Sequence, residues 1–337
     1  MDRKMDLNVT PKDLTGWVPF RVFRDGTDLL VDWCYVGPAR FTQPFFEDTI
    51  RIQMRNPFGL LFRHLTSFQM LGDLYKDSPG LLPTGFVFHL SRCGSTLVSQ
   101  MLASLDENIV ISEAPPIDRV IREASSDRNL SHQGRLSYLK WIIGALGQRR
   151  TGAETQYFIK FDCWNTLDID LICEAFPNVP WIFLYRNPVE IMVSQMRERG
   201  VHTIPGAVGS IVPDLDLAQA LQMPAEEYCA MVLARICESV LRFSPGDKGM
   251  FVNYSELPGA VTGVIAKHFG IEFSKEAFEK MTSTTKFHAK TPQMEFKDDS
   301  RMKQDSANEA VRNAAEHWLM PFYSQMEAVR NASAAKA

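Results

Sequence analysis

Five short apolar runs, each followed by a helical pattern, constrain the fold of this chain more than any other feature. The runs are GFVFHL, NIVIS, YFIKF, PWIFLYR and GMFVNY, and all of them follow residue 84. Helical patterns are predicted between and after them at 95–105, 133–147, 166–175, 188–199, 217–243 and 256–268. This alternation is typical of parallel strands joined by crossover helices. We therefore predict an α/β fold of three layers, with a central parallel sheet flanked by helices.

The first 80 residues lack the repeated strand-and-helix pattern of the rest of the chain and are rich in aromatic residues. Two alternating runs flank Asp25-Gly26, which predicts a hairpin, and PFGLLFRHLTSFQMLGDLY predicts a helix. The turn-rich stretch DSPGLLPTG at 77–85 marks a boundary. We predict an aromatic-rich N-terminal extension over 1–80 and a main domain over 81–330. The extension either packs its rings on the main domain or forms a wall of an acceptor site.

Composition excludes several classes of protein. The formal net charge of −4 disfavours a general nucleic-acid binder, which normally has a basic excess. No run of 18 apolar residues predicts a membrane span, and the N-terminus has no apolar stretch typical of a signal peptide. The six cysteines form no C-x-x-C pair and no metal-like cluster. We expect reduced thiols, no metal site and a cytoplasmic location, with a homodimer left open.

The stretch FVFHLSRCGSTLVSQML predicts a strand, a tight loop and a helix. A nucleotide P-loop reads G-x-x-x-x-G-K-[ST], but here Gly94 is followed directly by Ser95 and Thr96 without a lysine. The anion-binding features are still present, since a glycine permits close approach and helix N-terminal amides point at a bound anion. Arg92 adds a forked cation. An ordinary strand-turn-helix with a Ser-Thr cap is the alternative interpretation.

A second segment, WIFLYRNPVEIMVSQ, has an arginine at a strand end, Arg186, and Ser194 eight residues later. Together with the R-x-G-[ST]-T-L pattern, it resembles the P-loop sulfotransferase family over about 83–270. The resemblance implies a P-loop-type fold that transfers a sulfuryl group from 3′-phosphoadenosine 5′-phosphosulfate (PAPS) to a hydroxyl, releasing PAP without a metal. It implies that Arg186 and Ser194 clasp the 3′-phosphate and that Tyr254 in FVNYSEL lies by the adenine. The 5′-phosphosulfate would be held by Arg92, Cys93, Gly94, Ser95, Thr96 and Leu97.

The motif pattern is most similar to the tyrosylprotein branch of that family. It shares the loop arginine Arg92, Glu113 in IVISEAPPIDRVI and Lys160 in YFIKFDCWN. The resemblance implies that Glu113 is the catalytic base and that Lys160 and Arg92 stabilise the leaving oxygen. From the residues alone, Glu113 is an acid at a helix start and Lys160 is a solvated strand end. His89 is a competing base, and Asp162 is a candidate to orient Lys160.

Other polar residues have weaker assignments. The histidines at 132, 202 and 288 fall in predicted loops and are expected at the surface. The mixed-charge stretch 283–305 is predicted to be a long loop that closes over the nucleotide, followed by a helix over about 306–330. Its candidate ligands for the 3′-phosphate are Lys290, Lys297, Arg301 and Lys303, although a charge run is more often a solvated face.

Two other functions stay open beside a sulfotransferase. One is a PAP-binding regulatory protein without turnover, and the other is a small-molecule kinase, which the missing P-loop lysine disfavours. The sequence does not identify the acceptor, whose hydroxyl belongs to a small molecule, a lipid, a carbohydrate or a peptide. The segment APPID also departs from the basic residues that grip acidic peptides in the tyrosylprotein branch.

Overall fold

The computed structural model describes residues 9–127, 130–243, 246, 248–285, 287–288, 291–295 and 299–334. Its N-terminal part is a small antiparallel sheet of order β1-β2-β3, formed by Trp17–Asp25, Asp28–Tyr35 and His64–Ser67. Strands β1 and β2 pair up to Asp25 and Asp28, so the predicted hairpin at Asp25-Gly26 is confirmed. A 3₁₀ turn Pro11–Leu14 and three helices complete this part: α1 Phe46–Met54, α2 Pro57–Leu61 and α3 Gln69–Asp77.

The central sheet has five parallel strands in the order β5-β6-β4-β7-β8. They are β4 Gly85–His89, β5 Asn108–Ser112, β6 Gln156–Lys160, β7 Trp181–Tyr185 and β8 Gly249–Asn253. Each of the five predicted apolar runs supplies one strand. Nearly every strand position is buried, because helices cover both faces, and this burial explains why the runs are continuous rather than alternating. The predicted α/β fold with a central parallel sheet flanked by helices is confirmed.

Helices make up most of the rest of the chain. They are α4 Ser95–Ala103, α5 Pro115–Ser126, α6 His132–Leu146, α7 Ile169–Ala175, α8 Pro188–Arg197, α9 Leu217–Gln222, α10 Ala225–Phe243, α11 Ala266–Phe269, α12 Lys275–Thr284, α13 Ser300–Ser306, α14 Glu309–Ala314 and α15 Met320–Ala334. Shorter elements are the 3₁₀ turns Cys163–Asp168, Val201–Thr203 and Tyr254–Glu256, the π-helical segments Val261–Ile265 and Ala315–Leu319, and the strand pair β9 Phe287–His288 and β10 Thr291–Glu295. No helix in the described ranges is long and apolar enough to span a membrane.

The two faces of the central sheet have separate apolar cores. Phe86 and Phe88 of β4 belong to the larger core, whereas Val87 between them belongs to the smaller core with α4. Trp33 of β2 is fully buried in the larger core, so the N-terminal residues share that core with the central sheet. Strand β1 packs against α5 and α6, the helices on this face.

Several predicted elements differ from the structure. The helix predicted over PFGLLFRHLTSFQMLGDLY is wrong, because strand β3 lies between α2 and α3 and pairs with β2. The helix predicted over 217–243 is two helices, because Pro224 keeps the preceding residue, Met223, extended. The predicted loop 283–305 contains α13, β9 and β10. Helix α5 begins at Pro115, with Ala114 at its N-cap position. Glu113 therefore lies outside the helix, and its interpretation as a helix-start acid is wrong.

A pair of glycines gives a test of the packing between the boundary segment and α6. Both Gly80 and Gly152 have left-handed backbone, but a Cβ on Gly80 would lie 2.3 Å from the Gly144 carbonyl oxygen while Gly152 faces open space. We expect Gly152→Ala to lower the free energy of unfolding by about 1–2 kcal/mol, the cost of the left-handed conformation. Gly80→Ala should lose about 1–3 kcal/mol more through the collision. Urea unfolding of both variants measures the difference, and equal losses would contradict the packing.

Candidate active site

A cavity of about 1010 Å³ lies at the carboxyl edge of the central sheet, where open α/β sheets bind ligands. The loops after β4, β5, β6 and β7 all contribute to its wall. It is lined by every residue that the resemblance assigned to the nucleotide in the loop after β4, in WIFLYRNPVEIMVSQ and in FVNYSEL: Arg92, Cys93, Gly94, Ser95, Thr96, Leu97, Arg186, Ser194 and Tyr254. Glu113 also lines the cavity, and Lys160, whose side chain is fully buried, contacts Glu113. One cavity thus gathers the predicted nucleotide residues and the predicted base.

The loop between β4 and α4 has the strained geometry of a binding site. Ser91 and Arg92 have φ of 61° and 52°, which non-glycine residues rarely adopt, and Gly94 has φ of 86°. A Cβ on Gly94 would lie 2.6 Å from Leu257 Cδ1 and 2.9 Å from Tyr254 Cδ2, so only glycine fits there. Gly94 is the N-cap residue of α4, and no side chain caps this helix. The first-turn amides of α4 therefore face the cavity side as an anion-binding terminus.

Cys93 can contribute its backbone, but not its thiol, to the cavity. The Sγ atom lies 3.1 Å from the Leu184 carbonyl oxygen, to which it donates, inside the protein. Burial raises the pKa of the Cys93 thiol to about 12, so the thiol stays protonated.

Glu113 is the centre of a buried polar cluster. Its Oε1 atom lies 2.9 Å from Lys160 Nζ and 3.3 Å from His89 Nε2. The Ser91 amide donates to His89 Nδ1 at 3.0 Å, so the proton of a neutral ring sits on Nε2 and faces Glu113. Glu113 itself has a positive φ of 51°, a second point of strain at the cavity. The predicted pair of Glu113 and Lys160 is brought together, with His89 alongside.

The electrostatics of this cluster keep Glu113 ionised. Burial opposes ionisation, but the Lys160 ammonium and the His89 ring outweigh it and hold the pKa of Glu113 well below its usual range. Lys160 Nζ also lies 3.4 Å from Thr96 Oγ1 and 4.9 Å from the centre of the Phe45 ring. The interpretation of Lys160 as a solvated strand end is therefore wrong. Its ammonium links the Glu113 carboxylate to the first turn of α4.

Arg92 lies on another side of the cavity from the Glu113 cluster. Its Nε donates to Ser194 Oγ at 2.8 Å and its Nη2 to Glu198 Oε2 at 2.8 Å. Ser194 lies in helix α8, whose N-terminus is capped by the Asn187 side chain, and Glu198 follows directly after this helix. Ser194 thus hydrogen bonds with Arg92, and its predicted place beside Arg186 in a clasp around the 3′-phosphate stays a prediction.

Arg186 is surrounded by acidic and aromatic groups. It is 4% exposed, its Nε donates to Glu190, and its guanidinium lies 3.8 Å from the centre of the Tyr254 ring. Its Nη2 donates to Asp299 Oδ1 at 2.9 Å. The other oxygen of Asp299 pairs with Lys303 Nζ at 2.8 Å. The Asp299 carboxylate therefore bridges two cations at the cavity wall.

The four basic candidates of the 283–305 segment have different outcomes. Lys303 is 6% exposed and lines the cavity, and its role as a nucleotide ligand stays a prediction. Arg301 is exposed and is not among the cavity residues. Lys290 and Lys297 lie outside the described residues.

His202 is the clearest residue that the sequence analysis misplaced. It was expected at the surface but is 3% exposed and lines the cavity in the turn Val201–Thr203. Burial lowers the pKa of His202 to about 4, so its ring is neutral. His132 is exposed as expected and pairs with Glu174, while the side chain of His288 lies outside the described residues. No local signal in the sequence distinguished His202 from the exposed histidine.

Within the described part of the chain, no three His, Cys, Asp or Glu side chains are grouped so that they could hold a metal ion. The described cysteines are all free thiols, and five of the six are buried.

Comparisons with known proteins give similarity at the level of fold. No protein-family model and no curated protein matches the chain. A sulfotransferase from Mycobacterium avium is similar over 63% of this chain and 71% of its own, at 11% identity and a TM-score of 0.41. The sulfotransferase domain of the Synechococcus PCC 7002 olefin synthase is similar over 71% and 94%, at 18% identity and a TM-score of 0.40. A retinol dehydratase in complex with retinol and PAP is similar over 77% and 86%, at 14% identity and a TM-score of 0.35.

These solved structures are described as sulfotransferases or, in the last case, as a protein bound to PAP. None of the three is described as a tyrosylprotein sulfotransferase. Because their TM-scores lie below 0.5, they carry no weight in the functional argument, which rests on the geometry of the cavity.

The ionised Glu113 predicts a characteristic pH dependence of stability. Since its folded-state pKa is depressed, its ion pair contributes fully above the unfolded value near 4.5 and is lost as pH falls below it. We expect Glu113→Gln to lower the free energy of unfolding by about 3 kcal/mol at pH 7, because it leaves Lys160 buried without its carboxylate. The difference in unfolding free energy between the variant and the wild type should become smaller as the pH falls from 5 to 3. Urea unfolding at three pH values measures it, with the exposed Glu279→Gln as control, and a gap independent of pH would contradict the ion pair.

Proposed function

We propose that this protein is a sulfotransferase that uses PAPS to sulfate a hydroxyl group. The observation that carries the proposal is the position of the Lys160 ammonium, 2.9 Å from Glu113 and 3.4 Å from Thr96 at the start of α4. Sulfuryl transfer needs a base for the acceptor hydroxyl and a cation for the charge that develops on the leaving oxygen. The Glu113 carboxylate would be the base, and the Lys160 ammonium, which lies between this carboxylate and the anion-binding N-terminus of α4, would be the cation.

The residues along the other part of the cavity fit an adenine nucleotide with two phosphate positions. One position is the loop 92–97 at the N-terminus of α4. The other is formed by the buried cations Arg186 and Lys303, which already hold a carboxylate, that of Asp299, at the cavity wall. Tyr254 packs against Arg186 and supports the guanidinium. When bound, PAPS would supply the sulfuryl group, breaking its bond to the 5′-phosphate oxygen as a bond to the acceptor oxygen forms and PAP is released.

The protein's own groups divide the remaining work. The Glu113 carboxylate receives the acceptor proton, and His89 holds that carboxylate through its Nε2 proton, so His89 acts as a positioning residue rather than a free base. Lys160 neutralises charge near Thr96. Arg92 would add a second cation if it leaves its exposed partner Glu198, whose side chain is 78% exposed.

The finer assignments are part of the same proposal. We propose the roles known from the tyrosylprotein branch for Arg92, Glu113 and Lys160 alone. We do not extend the likeness to the acceptor, because the part of the cavity that would bind the acceptor has acidic rather than basic residues. The wall formed by the N-terminal extension is supported by Phe45 and Glu47, which line the cavity. A reducing, cytoplasmic location is supported by the free buried thiols.

The chemical step tests the role of Glu113. With PAPS as donor and 2-naphthol and butan-1-ol as acceptors, we expect Glu113→Gln to lower the rate of sulfation by about 100- to 10,000-fold, since the variant cannot accept the proton. The affinity for PAP, measured by calorimetry, should change little. The exposed His132→Gln is the control. A variant rate near the wild-type value would move the role of base to His89.

Two substitutions test the nucleotide site, and we expect one to weaken PAP binding and the other to strengthen it. Arg186→Ala should weaken PAP binding by about 2–5 kcal/mol, because it removes a buried charge partner of the 3′-phosphate. AMP lacks that phosphate, so its weaker affinity should be almost unchanged. Asp299→Asn should strengthen PAP binding by about tenfold, since the carboxylate that occupies Arg186 and Lys303 loses its charge.

Calorimetric titration of PAP and AMP against each variant separates these effects from damage to the fold. Asp305→Asn, an exposed change on the same helix as Lys303, is the matched control. Equal losses of PAP and AMP affinity in Arg186→Ala would withdraw the phosphate assignment. ATP with magnesium is titrated alongside PAP, and a preference for ATP would favour a kinase instead.

A further inference from the structure

Part of the cavity lining differs in charge from the residues proposed to bind the nucleotide. This part is formed by Phe45, Glu47, Asp118, Asp162, Trp164 and His202. The Asp118 carboxylate is fully engaged, since Oδ1 accepts from the Trp164 indole and Asn165 and Oδ2 accepts from Arg122. Asp118 is therefore a structural acid that holds the Trp164 ring in place.

Asp162 is the unusual group in this part. It follows β6 at the N-cap position of the turn Cys163–Asp168, yet its side chain does not cap that turn. It is 9% exposed and lines the cavity. Among the described residues, none forms a hydrogen bond or an ion pair with its carboxyl group. A buried carboxyl group in a protein normally has such a partner, so the cavity itself is where its partner belongs.

His202 lines the same cavity and also has a polar atom without a partner in the described part of the chain. Its Nε2 atom is buried and has no hydrogen-bond partner in the described ranges. Its ring lies 5.7 Å from that of Trp164. Asp162, Trp164 and His202 thus line the same cavity, and a ligand with several N–H donors that reaches both polar groups would satisfy them together.

The charge of the missing partner follows from the neighbouring ion pairs. Lys160 is paired with Glu113, and Arg122 is paired with Asp118. The positive groups nearest to Asp162 are therefore already compensated by other acids. Asp162 would therefore ionise with a compensating positive charge beside it only if a ligand brings a cation.

We propose that the acceptor is a cationic alcohol, with its hydroxyl at Glu113 and its ammonium group held by Asp162 and His202 against the Trp164 ring. The inference rests on the proposed sulfotransferase function and adds the substrate class. An ammonium group has three N–H donors, and it is attracted by the face of an indole. A phosphorylated, sulfated or carboxylated acceptor would instead bring a negative charge into a cavity lined by the Glu113 and Glu47 carboxylates, and it would favour the protonated form of Asp162.

Binding of such a ligand is coupled to a proton. Burial raises the pKa of Asp162 well above its usual range, and Glu113 and Asp118 raise it further, while Lys160 and Arg122 act in the opposite direction. Asp162 is thus a neutral acid before the ligand binds, and neutral His202 adds no charge. A cation beside it lowers the pKa of Asp162, so the proton is released to solvent on binding.

A series of phenols that differ in charge tests the inference. The acceptors are tyramine, 4-ethylphenol and 3-(4-hydroxyphenyl)propionate, with 3-aminopropan-1-ol and butan-1-ol as an aliphatic pair. In the wild type we expect kcat/KM for the cationic member to exceed that of the neutral one by at least about tenfold, mainly through KM, and the anion to be the poorest. Asp162→Asn should reduce this preference to about twofold or less and leave PAP affinity unchanged. Asp168→Asn, at the far end of the same turn and outside the cavity, should keep the preference.

A second measurement needs no turnover. Tyramine and 3-aminopropan-1-ol are titrated into the PAP complex in two buffers of different ionisation enthalpy, which reports proton release. We expect release in the wild type and in Asp168→Asn but not in Asp162→Asn. If Asp162→Asn does not fold, the wild-type charge series and proton release decide the matter alone.

The outcomes separate this inference from the proposed function. Tight PAP binding and sulfation without preference for the cation would overturn the cationic acceptor and leave the sulfotransferase proposal standing. Absence of PAP binding would overturn the sulfotransferase proposal, while tyramine binding to the free protein with proton release from Asp162 would still support the cation site. Absence of amine binding in both states would overturn the inference.

Discussion

The buried ion pair between Lys160 and Glu113 is the interaction on which the site depends. A fully buried ammonium group is strongly destabilising without a partner, and Glu113 is the carboxylate that compensates it. The backbone reinforces the pair, since the Glu113 amide donates to the Lys160 carbonyl at 2.7 Å and continues the pairing of β5 with β6. The distance from carboxylate to ammonium is therefore set by the register of two parallel strands, and the helix α5 begins late enough to leave Glu113 free for this role.

Strain and burial concentrate at the same edge of the sheet. Of the four non-glycine residues with positive φ among those described, Ser91, Arg92 and Glu113 line the cavity. Such conformations persist only where the surroundings enforce them, and here the two apolar cores hold the strands rigidly on both faces. The rigid sheet thus stabilises a loop geometry that the loop would not adopt alone. This preorganisation is what transfer chemistry requires of groups that must stay in place while charge moves.

The cavity lining has two parts of opposite electrostatic character. In one part the cations Arg186 and Lys303 share the carboxylate of Asp299, an arrangement that an anionic ligand can replace. In the other part Asp162 is a buried acid without a compensating cation. Lys160 lies between the two, in contact with Glu113 and Thr96. An anionic donor would replace the Asp299 carboxylate between its two cations, and a cationic acceptor would leave Asp162 as a compensated carboxylate after its proton is released.

The sequence by itself determined the local elements, namely five buried strands, the hairpin at Asp25-Gly26 and the glycine loop at Gly94, because apolar periodicity and turn chemistry are encoded by neighbouring residues. The candidate pair Glu113 and Lys160 came from the resemblance to a known family, since the residues alone suggested a helix-start acid and a solvated strand end. Only the tertiary structure decided which distant groups meet. Asp299 lies 113 residues from Arg186 along the chain, and Ser194 pairs with Arg92 rather than Arg186. The burial of His202 and the missing partner of Asp162 also arise from packing between separate elements. A local pattern specifies how a segment folds, whereas charge compensation in a cavity depends on every segment that reaches it.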